Sequence, residues 1–291
     1  MSADVERNSG GNQEPQVIQA SGHPAPEGWV SAGLGEQPAL LSIHTWSDEE
    51  RNDAALAVAL GDRAVISLLR PDPAITSIPT DVEGWVAFHL AVIATIPADP
   101  PYWLLGWPFG GVVALELGRE LEARGIPVAY VGMVDAVRPL RLSGQLLLFA
   151  RKVAKTSGWV ERWKLIRTKA RLFVAQVRVG LRENRGETTR HLGLRRKSAP
   201  IQPSATKDSY AAAIHASYLS YVARPTDLPV AIFACDRSID ALGGPSLGWA
   251  PYLKEGFECY RLEGDHRTIF AGQNLDANAA LVASSLVSMP R

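Results

Sequence analysis

Short apolar runs alternate with amphipathic segments along most of the chain. Runs rich in β-branched and aromatic residues predict strands, which fall at residues 39–44, 64–69, 102–106, 128–134, 228–234 and 258–262. Apolar positions spaced by three and four predict helices, which fall at residues 49–60, 82–96, 111–123 and 276–287. Strands that alternate with helices indicate an α/β fold, in which a mostly parallel sheet carries helices on both faces.

Two segments depart from this alternation. Residues 1–36 are rich in Gly, Ser, Pro, Asn and Gln, so they predict a disordered tail ahead of one domain at 37–291. An insertion at about 137–225 contains two predicted helices, one amphipathic and basic and the other at 210–221. The apolar face of the basic helix comprises Trp159, Trp163, Ile166, Ala170, Phe173 and Val177.

Size and composition suit a single globular domain with a large core. The chain has 291 residues, of which 46% are hydrophobic, enough for one large domain with extensions. It has no apolar run near the ~20 residues that cross a bilayer, and residues 1–30 lack the apolar core of a signal peptide. We therefore expect a cytoplasmic protein without a membrane span. Cys235 and Cys259 lack metal-ligand or disulfide spacing, and no metal or cofactor is expected.

Charge is distributed unevenly, although the net charge is zero. Residues 151–200 contain 15 Lys/Arg and 3 Asp/Glu, a local charge of +12 (15 − 3), and the rest of the chain carries −12. Such a segment attracts acidic proteins, phosphate groups or anionic lipid, and it equally suits a solvated helical face. Its aromatic residues fall on one helical stripe, which favours packing against protein over nucleic-acid or membrane binding.

The segment Gly106-Trp-Pro-Phe-Gly-Gly111 follows a predicted strand and precedes a predicted helix. Its glycines match a Gly-x-Ser-x-Gly elbow, which presents a nucleophilic serine on a strained turn, but Pro108 occupies the serine position. The proline ring fixes φ near −65° and excludes the positive φ of such a turn, whereas it suits the first turn of a helix. We therefore expect a relaxed turn without a nucleophile, in which the Phe109 N–H is displaced from an oxyanion hole.

Three polar residues are predicted at the carboxyl ends of strands. Asp135 ends one strand, His44 ends another, and His266 follows the last in the sequence Glu263-Gly-Asp-His. Catalytic groups of open α/β sheets gather at this edge, so these side chains and Pro108 are expected to face one crevice. The chain order of elbow, acid and histidine is the order found in α/β-hydrolases.

Together these features resemble the thioesterase domain family that releases products from nonribosomal peptide and polyketide synthases. The resemblance rests on the 106–111 block, on Asp135 placed 27 residues after Pro108, on Gly248-Trp249, on Gly264-Asp-His266 and on the helical insertion. It implies an α/β-hydrolase fold with a helical lid and a substrate acyl group carried by an acyl carrier protein or pantetheine. It also implies that His266 is a general base and that Asp135 orients it.

The resemblance further implies an oxyanion pocket, whose candidates are Phe109, Thr45, Trp46, His44 and Trp107. The loop Thr45-Trp-Ser-Asp48 departs from the family because it lacks the glycine pair often present there. Asp236 and Asp240 lie near the position where some relatives carry the acid, but the spacing of Asp135 fits better. Cys235 and Ser47 are weaker candidates for a substitute nucleophile, since neither lies on an elbow.

Two functional hypotheses follow. In the first, the protein is an enzyme that uses His266 and Asp135 for cyclisation, elimination, isomerisation or direct attack on a thioester, without a serine acyl-enzyme. In the second, it is a non-catalytic scaffold that binds an acyl carrier protein or its tethered intermediate. In both, the basic insertion suits an acidic partner.

Overall fold

The computed structural model describes residues 28–33, 35–46, 53–73, 75–139, 158 and 207–288. The strands of this part of the chain are β1 (Trp29–Ala32), β2 (Gln37–Ile43), β3 (Arg63–Leu68), β4 (Tyr102–Gly106), β5 (Val128–Val134), β6 (Val230–Cys235) and β7 (Glu258–Leu262). The α-helices are α1 (Asp53–Leu60), α2 (Val82–Ile93), α3 (Phe109–Ala123), α4 (Lys207–Ser220), α5 (Asp236–Leu242) and α6 (Asn274–Ser288), and a 3₁₀ turn lies at Ala250–Tyr252.

The strands form one sheet in the order β1-β3-β2-β4-β5-β6-β7. From β3 to β7 every neighbouring pair is parallel, and β1 alone pairs antiparallel, at the edge of the sheet against β3. The predicted α/β architecture with a mostly parallel sheet is confirmed. The carboxyl ends of β2, β4, β5 and β6 therefore lie side by side at one edge of the sheet.

Helices cover both faces of the sheet, as alternation of side chains along each strand requires. Leu104 lies in the core beneath α2 and α3, whereas the next residue, Leu105, lies in the core beneath α1 and α6. Both leucines are almost completely buried. Strands buried on both faces read as continuous apolar runs, which is why the sequence pattern locates β4 and β5 with the bounds that the structure has. The edge strand β7 also has its predicted bounds, although its exposure alternates along the strand.

The expected tail boundary at residue 36 is wrong for one segment. Residues Trp29–Ala32 form β1, in which Trp29 pairs with Leu68 of β3. The strand is four residues long and is flanked by Gly28 and Gly33, both at positive φ, so it is too short to produce a periodic signal. Residues 1–27 lie outside the described residues.

The insertion is described only at its carboxyl end. Helix α4 agrees with the helix expected at 210–221, whereas the basic helix and nearly all of the segment 151–200 lie outside the described residues. Two short elements after β6, α5 and the 3₁₀ turn, were not expected. Among the helices that the structure describes, none has the length and apolar character needed to cross a bilayer.

Candidate active site

The turn that follows β4 begins α3 at Pro108. Pro108 has φ −74° and ψ −42°, a right-handed helical conformation, and its carbonyl accepts a hydrogen bond from the Gly111 N–H at 3.2 Å. The expectation that proline relaxes this turn into the start of a helix agrees with these angles. The side chain of the next residue, Phe109, is buried against Trp85 and Tyr218, with ring centroids 5.7 and 5.0 Å away.

The glycines around Pro108 are required by close backbone packing. A methyl group at Gly106 would overlap the backbone of Gly110, and one at Gly110 would overlap the carbonyl oxygen of Ile43 at the end of β2. A methyl group at Gly111 would lie 2.6 Å from the Cβ of Ala136. The glycine frame therefore brings α3 against β2 and β5 whether or not a nucleophile follows Trp107.

Asp135 directly follows β5 and is completely buried. Its φ of 45° is unusual for a residue other than glycine, and its N–H donates to the Phe233 carbonyl at 2.6 Å. The carboxylate accepts hydrogen bonds from the Ser238 hydroxyl at 3.0 Å and from the N–H and thiol of Cys235 at 3.2 and 3.4 Å. Because β6 and α5 supply these donors, the acid is fixed by elements that do not include Pro108.

The Asp135 carboxylate is ionised. Burial alone raises its pKa, but the hydrogen bonds from His266, Ser238 and the Cys235 N–H outweigh burial and hold the pKa below its ordinary value. An ionised carboxylate only accepts hydrogen bonds, so its partner atoms must carry the protons. Asp135 therefore fixes the proton of His266 on the ring nitrogen that faces it.

His266 contacts Asp135 through Nδ1, at 2.5 Å from Oδ2. The ring is almost half exposed, with 46% of its side-chain surface accessible, and it lies 5.8 Å from the ring of Trp107. With Nδ1–H bound to the carboxylate, Nε2 of the neutral ring is an acceptor. The structure thus brings together the predicted pair and places it beside the residue that precedes Pro108.

The other acidic candidates do not contact His266. Asp236 is exposed at the start of α5 and pairs with the guanidinium of Arg261, which lowers the pKa of Asp236. Asp240 is exposed on the same helix. Asp135 is therefore the carboxylate that holds His266.

The thiol of Cys235 does not have the environment of a reactive nucleophile. Its side chain is completely buried, and burial raises its pKa. The thiol also donates to Asp135, which needs the protonated form. These contacts favour a structural role for Cys235, and Ser47 lies outside the described residues.

The oxyanion-pocket candidates on the first loop have diverse surroundings. Trp46 is exposed, and its carbonyl accepts a hydrogen bond from Arg70. The Thr45 hydroxyl is buried without a partner within the described residues. His44 binds Asp53, with 2.6 Å between Nε2 and Oδ2.

Several contacts of the site were not foreseen from the sequence. Ser238 and Cys235 support Asp135, and the indole N–H of Trp249 donates to the Ala136 carbonyl at 2.7 Å, which fixes the chain just after the acid. Tyr218 of α4 packs on Phe109. Asp53, the partner of His44, was also not foreseen. One sequence signal points to such a partner: Ser42 and His44 alternate with apolar residues and so share a strand face, and both bind Asp53.

The described residues contain no group of three or more His, Cys, Asp or Glu side chains that is suited to hold a metal ion. The family comparison concerns most of the chain, since a model described as "Thioesterase domain" matches residues 44–285. The chain belongs to the thioesterase domain family.

Curated relatives of this thioesterase-family chain are much longer. Enterobactin synthase component F of Escherichia coli (strain K12) is 24% identical over 199 residues, which cover 68% of this chain and 13% of that protein. An atromentin synthetase of Suillus grevillei is 27% identical over 118 residues, which cover 40% of this chain and 11% of that protein. The chain thus spans about an eighth of the length of these relatives or less.

Solved thioesterase domains have the same fold. The NocB thioesterase domain from the nocardicin cluster has a TM-score of 0.56 and 19% identity, covering 90% of this chain and 100% of that one. The thioesterase domain that cyclises surfactin has a TM-score of 0.55 and 13% identity, covering 91% and 97%. The seven-stranded sheet and its helices form an α/β-hydrolase fold, as the resemblance implied.

Proposed function

We propose that this protein acts on an acyl group held as a thioester, on a carrier protein or coenzyme A, by general base catalysis without a serine acyl-enzyme. The observation that carries the proposal is the 2.5 Å contact between His266 Nδ1 and the ionised Asp135. It leaves Nε2 of the half-exposed ring as a base. Membership of the thioesterase family supports the thioester as substrate.

In this proposal, Pro108 occupies the position at which relatives carry the nucleophilic serine. Its place between β4 and α3, next to Trp107, whose ring lies 5.8 Å from that of His266, supports this assignment. Another member of the fold, the NocB thioesterase domain, forms a covalent complex with a fluorophosphonate nocardicin G analogue. Proline has no hydroxyl to react in this way, and we expect the present protein to form no such adduct.

His266 can remove a proton from water, from an alcohol or from a carbon next to the thioester carbonyl. These reactions correspond to hydrolysis or cyclisation by direct attack, and to elimination or isomerisation. General base catalysis contributes about 10²–10⁴-fold, so the bound acyl group must also be held in a reactive orientation. The half-exposed ring and the aromatic wall of Trp107 and Phe270 suit that task.

A second candidate function is a non-catalytic scaffold for an acyl carrier protein or its intermediate. The helical conformation of Pro108 favours it, since a turn without strain and without a nucleophile needs no catalytic role. The charge of +12 in residues 151–200 suits an acidic carrier protein as partner. In this case the His266–Asp135 pair would be retained because it stabilises the turn that follows β5.

Acyl-pantetheine substrates separate the two candidates. We expect the wild-type protein to release or rearrange the acyl group, and His266→Ala to lose that turnover while still binding a non-hydrolysable acyl-pantetheine analogue in isothermal titration calorimetry. Incubation with a fluorophosphonate probe, followed by intact-mass spectrometry, should leave the mass unchanged. Tight binding without any product would favour the scaffold, whereas a probe adduct would contradict the absence of a nucleophile.

A further inference from the structure

A second histidine–carboxylate pair lies at the neighbouring strand end. His44 follows β2, and its Nε2 lies 2.6 Å from Oδ2 of Asp53, the first residue of α1. The other donors to this carboxylate are the hydroxyls of Ser42, at 3.0 Å, and of Ser67 on β3. This pair repeats the arrangement of Asp135, a buried carboxylate that binds one imidazole and also accepts from a serine hydroxyl.

Asp53 is ionised, like Asp135. Burial raises its pKa, but the hydrogen bond and charge of His44 together with the hydrogen bonds of Ser67 and Ser42 hold the pKa below its ordinary value. Its position at the amino end of α1 adds the favourable field of the helix dipole. His44 Nε2 must therefore donate to Asp53, because an ionised carboxylate has no proton to give.

The two imidazoles are held by opposite ring nitrogens. His266 binds its carboxylate through Nδ1 and leaves Nε2, whereas His44 binds through Nε2 and leaves Nδ1. In the neutral ring of His266 the remaining nitrogen accepts a proton. In a protonated His44 ring the remaining Nδ1–H donates one, while the carboxylate forms a charge-assisted hydrogen bond with the cation.

Both imidazoles border the same aromatic wall. His44 and Asp53 line a cavity of about 40 Å³ together with Gly106, Trp107 and Phe270. Trp107 also lies beside His266, with ring centroids 5.8 Å apart, and Phe270 packs edge-on against Trp107. The His44 ring retains some exposure, with 17% of its side-chain surface accessible.

The backbone also brings His44 close to the Pro108 turn. Gly110, in the first turn of α3, packs so tightly on the Ile43 carbonyl that no larger residue fits there. Ile43 is the residue before His44. The second pair therefore lies directly beside the turn at which an acyl thioester is proposed to bind.

We propose that His44, held by Asp53, is the proton donor to the thioester carbonyl oxygen, and that it complements His266 as proton acceptor. This inference rests on the proposed function. A base alone leaves the charge that develops on the carbonyl oxygen unsatisfied, and stabilising such a charge is usually the largest contribution to acyl transfer. Pro108 has neither an N–H nor a side-chain donor for that oxygen, whereas the imidazole of His44 lies at the neighbouring strand end.

Direct attack on the thioester uses both imidazoles. Nε2 of His266 takes the proton of water or an alcohol as the C–O bond forms, and the carbonyl electron pair moves to oxygen, which takes the proton of His44 Nδ1. When the tetrahedral intermediate collapses, the hydroxyl returns its proton to His44. The C–S bond breaks, and the thiol leaves with the proton held by His266, so both rings return to their starting states.

Among the residues that the structure describes, few titratable groups lie near His44 to complicate a pH profile. Asp53 faces it from α1, and the Ser42 hydroxyl of β2 lies 3.2 Å from its Nε2. The Ser67 hydroxyl of β3 binds Asp53, and the cavity residues Trp107 and Phe270 do not titrate near neutral pH. On α2, His89 interacts electrostatically with His44, but burial lowers the pKa of His89 to about 3, so that it is neutral above that pH.

The pH dependence of turnover tests the proposal. Wild-type kcat/KM for an acyl-pantetheine should be bell-shaped, because activity needs neutral His266 and protonated His44. We expect His44→Gln to reduce the rate at least tenfold and to remove the alkaline limb while the acidic limb remains. Asp53→Asn should lower the rate in the same direction, whereas His215→Gln, which removes an exposed imidazole of α4, should keep both limbs.

A purely structural His44 would reduce the rate without removing a limb, and that result would overturn the proposal. If the wild type has no turnover, the proposed function fails, and ¹⁵N-histidine NMR decides about His44 separately. A shift of its Nδ1 signal on addition of a non-hydrolysable acyl-pantetheine analogue would support contact with the acyl group. An unchanged His44 signal, with or without a shift of His266, would overturn it.

Discussion

The turns that follow β4 and β5 lie next to each other and differ in their backbones. The β5 turn holds Asp135 at φ 45°, a conformation that costs energy for a residue with a side chain. The β4 turn holds Pro108 at φ −74°, in an ordinary helical conformation. One turn therefore keeps the strain typical of a functional site, and its neighbour does not.

The difference is explained by what supports each turn. Contacts from Phe233, Cys235 and Ser238 hold Asp135 in place, and His266 completes its hydrogen bonds. Pro108 needs no such support, since its ring already restricts φ. The acid and base of the site can thus persist although the neighbouring turn has lost its strain, which is why we infer base chemistry rather than acyl transfer to the protein.

The largest effect is expected at the β5 turn. Asp135→Asn replaces the ionised acceptor of His266 with an amide that can donate to Nδ1 and so favour the wrong tautomer. We expect turnover of an acyl-pantetheine to fall by about 10²–10⁴-fold. Asp236→Asn is the matched control, because its carboxylate is exposed and binds Arg261, and its turnover should stay close to that of the wild type. Equal losses in both variants would contradict the role of Asp135.

The next largest effect concerns the packing of the β4 turn. In Gly110→Ala the new methyl group would overlap the Ile43 carbonyl, and overpacking of this kind lowers the free energy of unfolding by about 1–3 kcal/mol. Gly244→Ala introduces the same group where no atom lies within 4 Å, so its unfolding free energy should change by less than about 0.5 kcal/mol. Urea denaturation measures both, and equal stabilities would show that α3 can move away from β2.

The sequence predicted the sheet and the histidine–acid pair well, for physical reasons. Strands buried on both faces have continuous apolar runs, and the carboxyl ends of parallel strands share one edge. Because Asp135 and His266 each follow a strand of this sheet, their proximity could be predicted from the sequence. The conformation of Pro108 followed from its ring alone.

Other parts depended on tertiary contacts that no local pattern encodes. The edge strand β1 is four residues long and needs β3 as its partner. The choice of Asp135 over Asp236 rested on spacing in the sequence, whereas the structure decides it by burial and by the partner Arg261. Asp53 lies within the ordinary helix pattern at residues 49–60, and its contact with His44 appears only when α1 packs on the sheet beside β3.

Groups that pack near the two turns should lower the unfolding free energy of the protein in different pH ranges. Beside Phe109, Trp85 stacks on His89, which is completely buried and has no hydrogen-bond partner for either ring nitrogen within the described residues. Burial lowers the pKa of His89 to about 3, while an unfolded histidine titrates near about 6.5. Between these values the unfolded chain binds more protons, so stability should fall as the pH falls from about 6.5 towards 3.

Replacing His89 tests this difference. His89→Leu should remove a slope of up to about 1.4 kcal/mol per pH unit from the unfolding free energy in that range. The pKa of the Asp135 carboxyl is lowered, so its contribution to stability should remain in this variant. That contribution is lost only as the pH falls below about 3.8, the ordinary value for aspartate. Urea denaturation from pH 7 to pH 3 measures the slope, and an unchanged slope in His89→Leu would assign it to other groups.

The smallest effect is expected when the β4 turn receives the hydroxyl that it lacks. Serine can adopt the helical angles of Pro108, and the packing of Gly106, Gly110 and Gly111 fixes the surrounding backbone. Pro108→Ser should therefore lower the unfolding free energy by no more than about 1 kcal/mol, mainly because the unfolded chain gains freedom. Its serine should react only slowly with a fluorophosphonate probe, since the helical turn does not raise the side chain towards His266. Fast, complete labelling in mass spectrometry would mean that the proline ring alone keeps the β4 turn relaxed. With serine, the β4 turn could then adopt a strained conformation, as the β5 turn does.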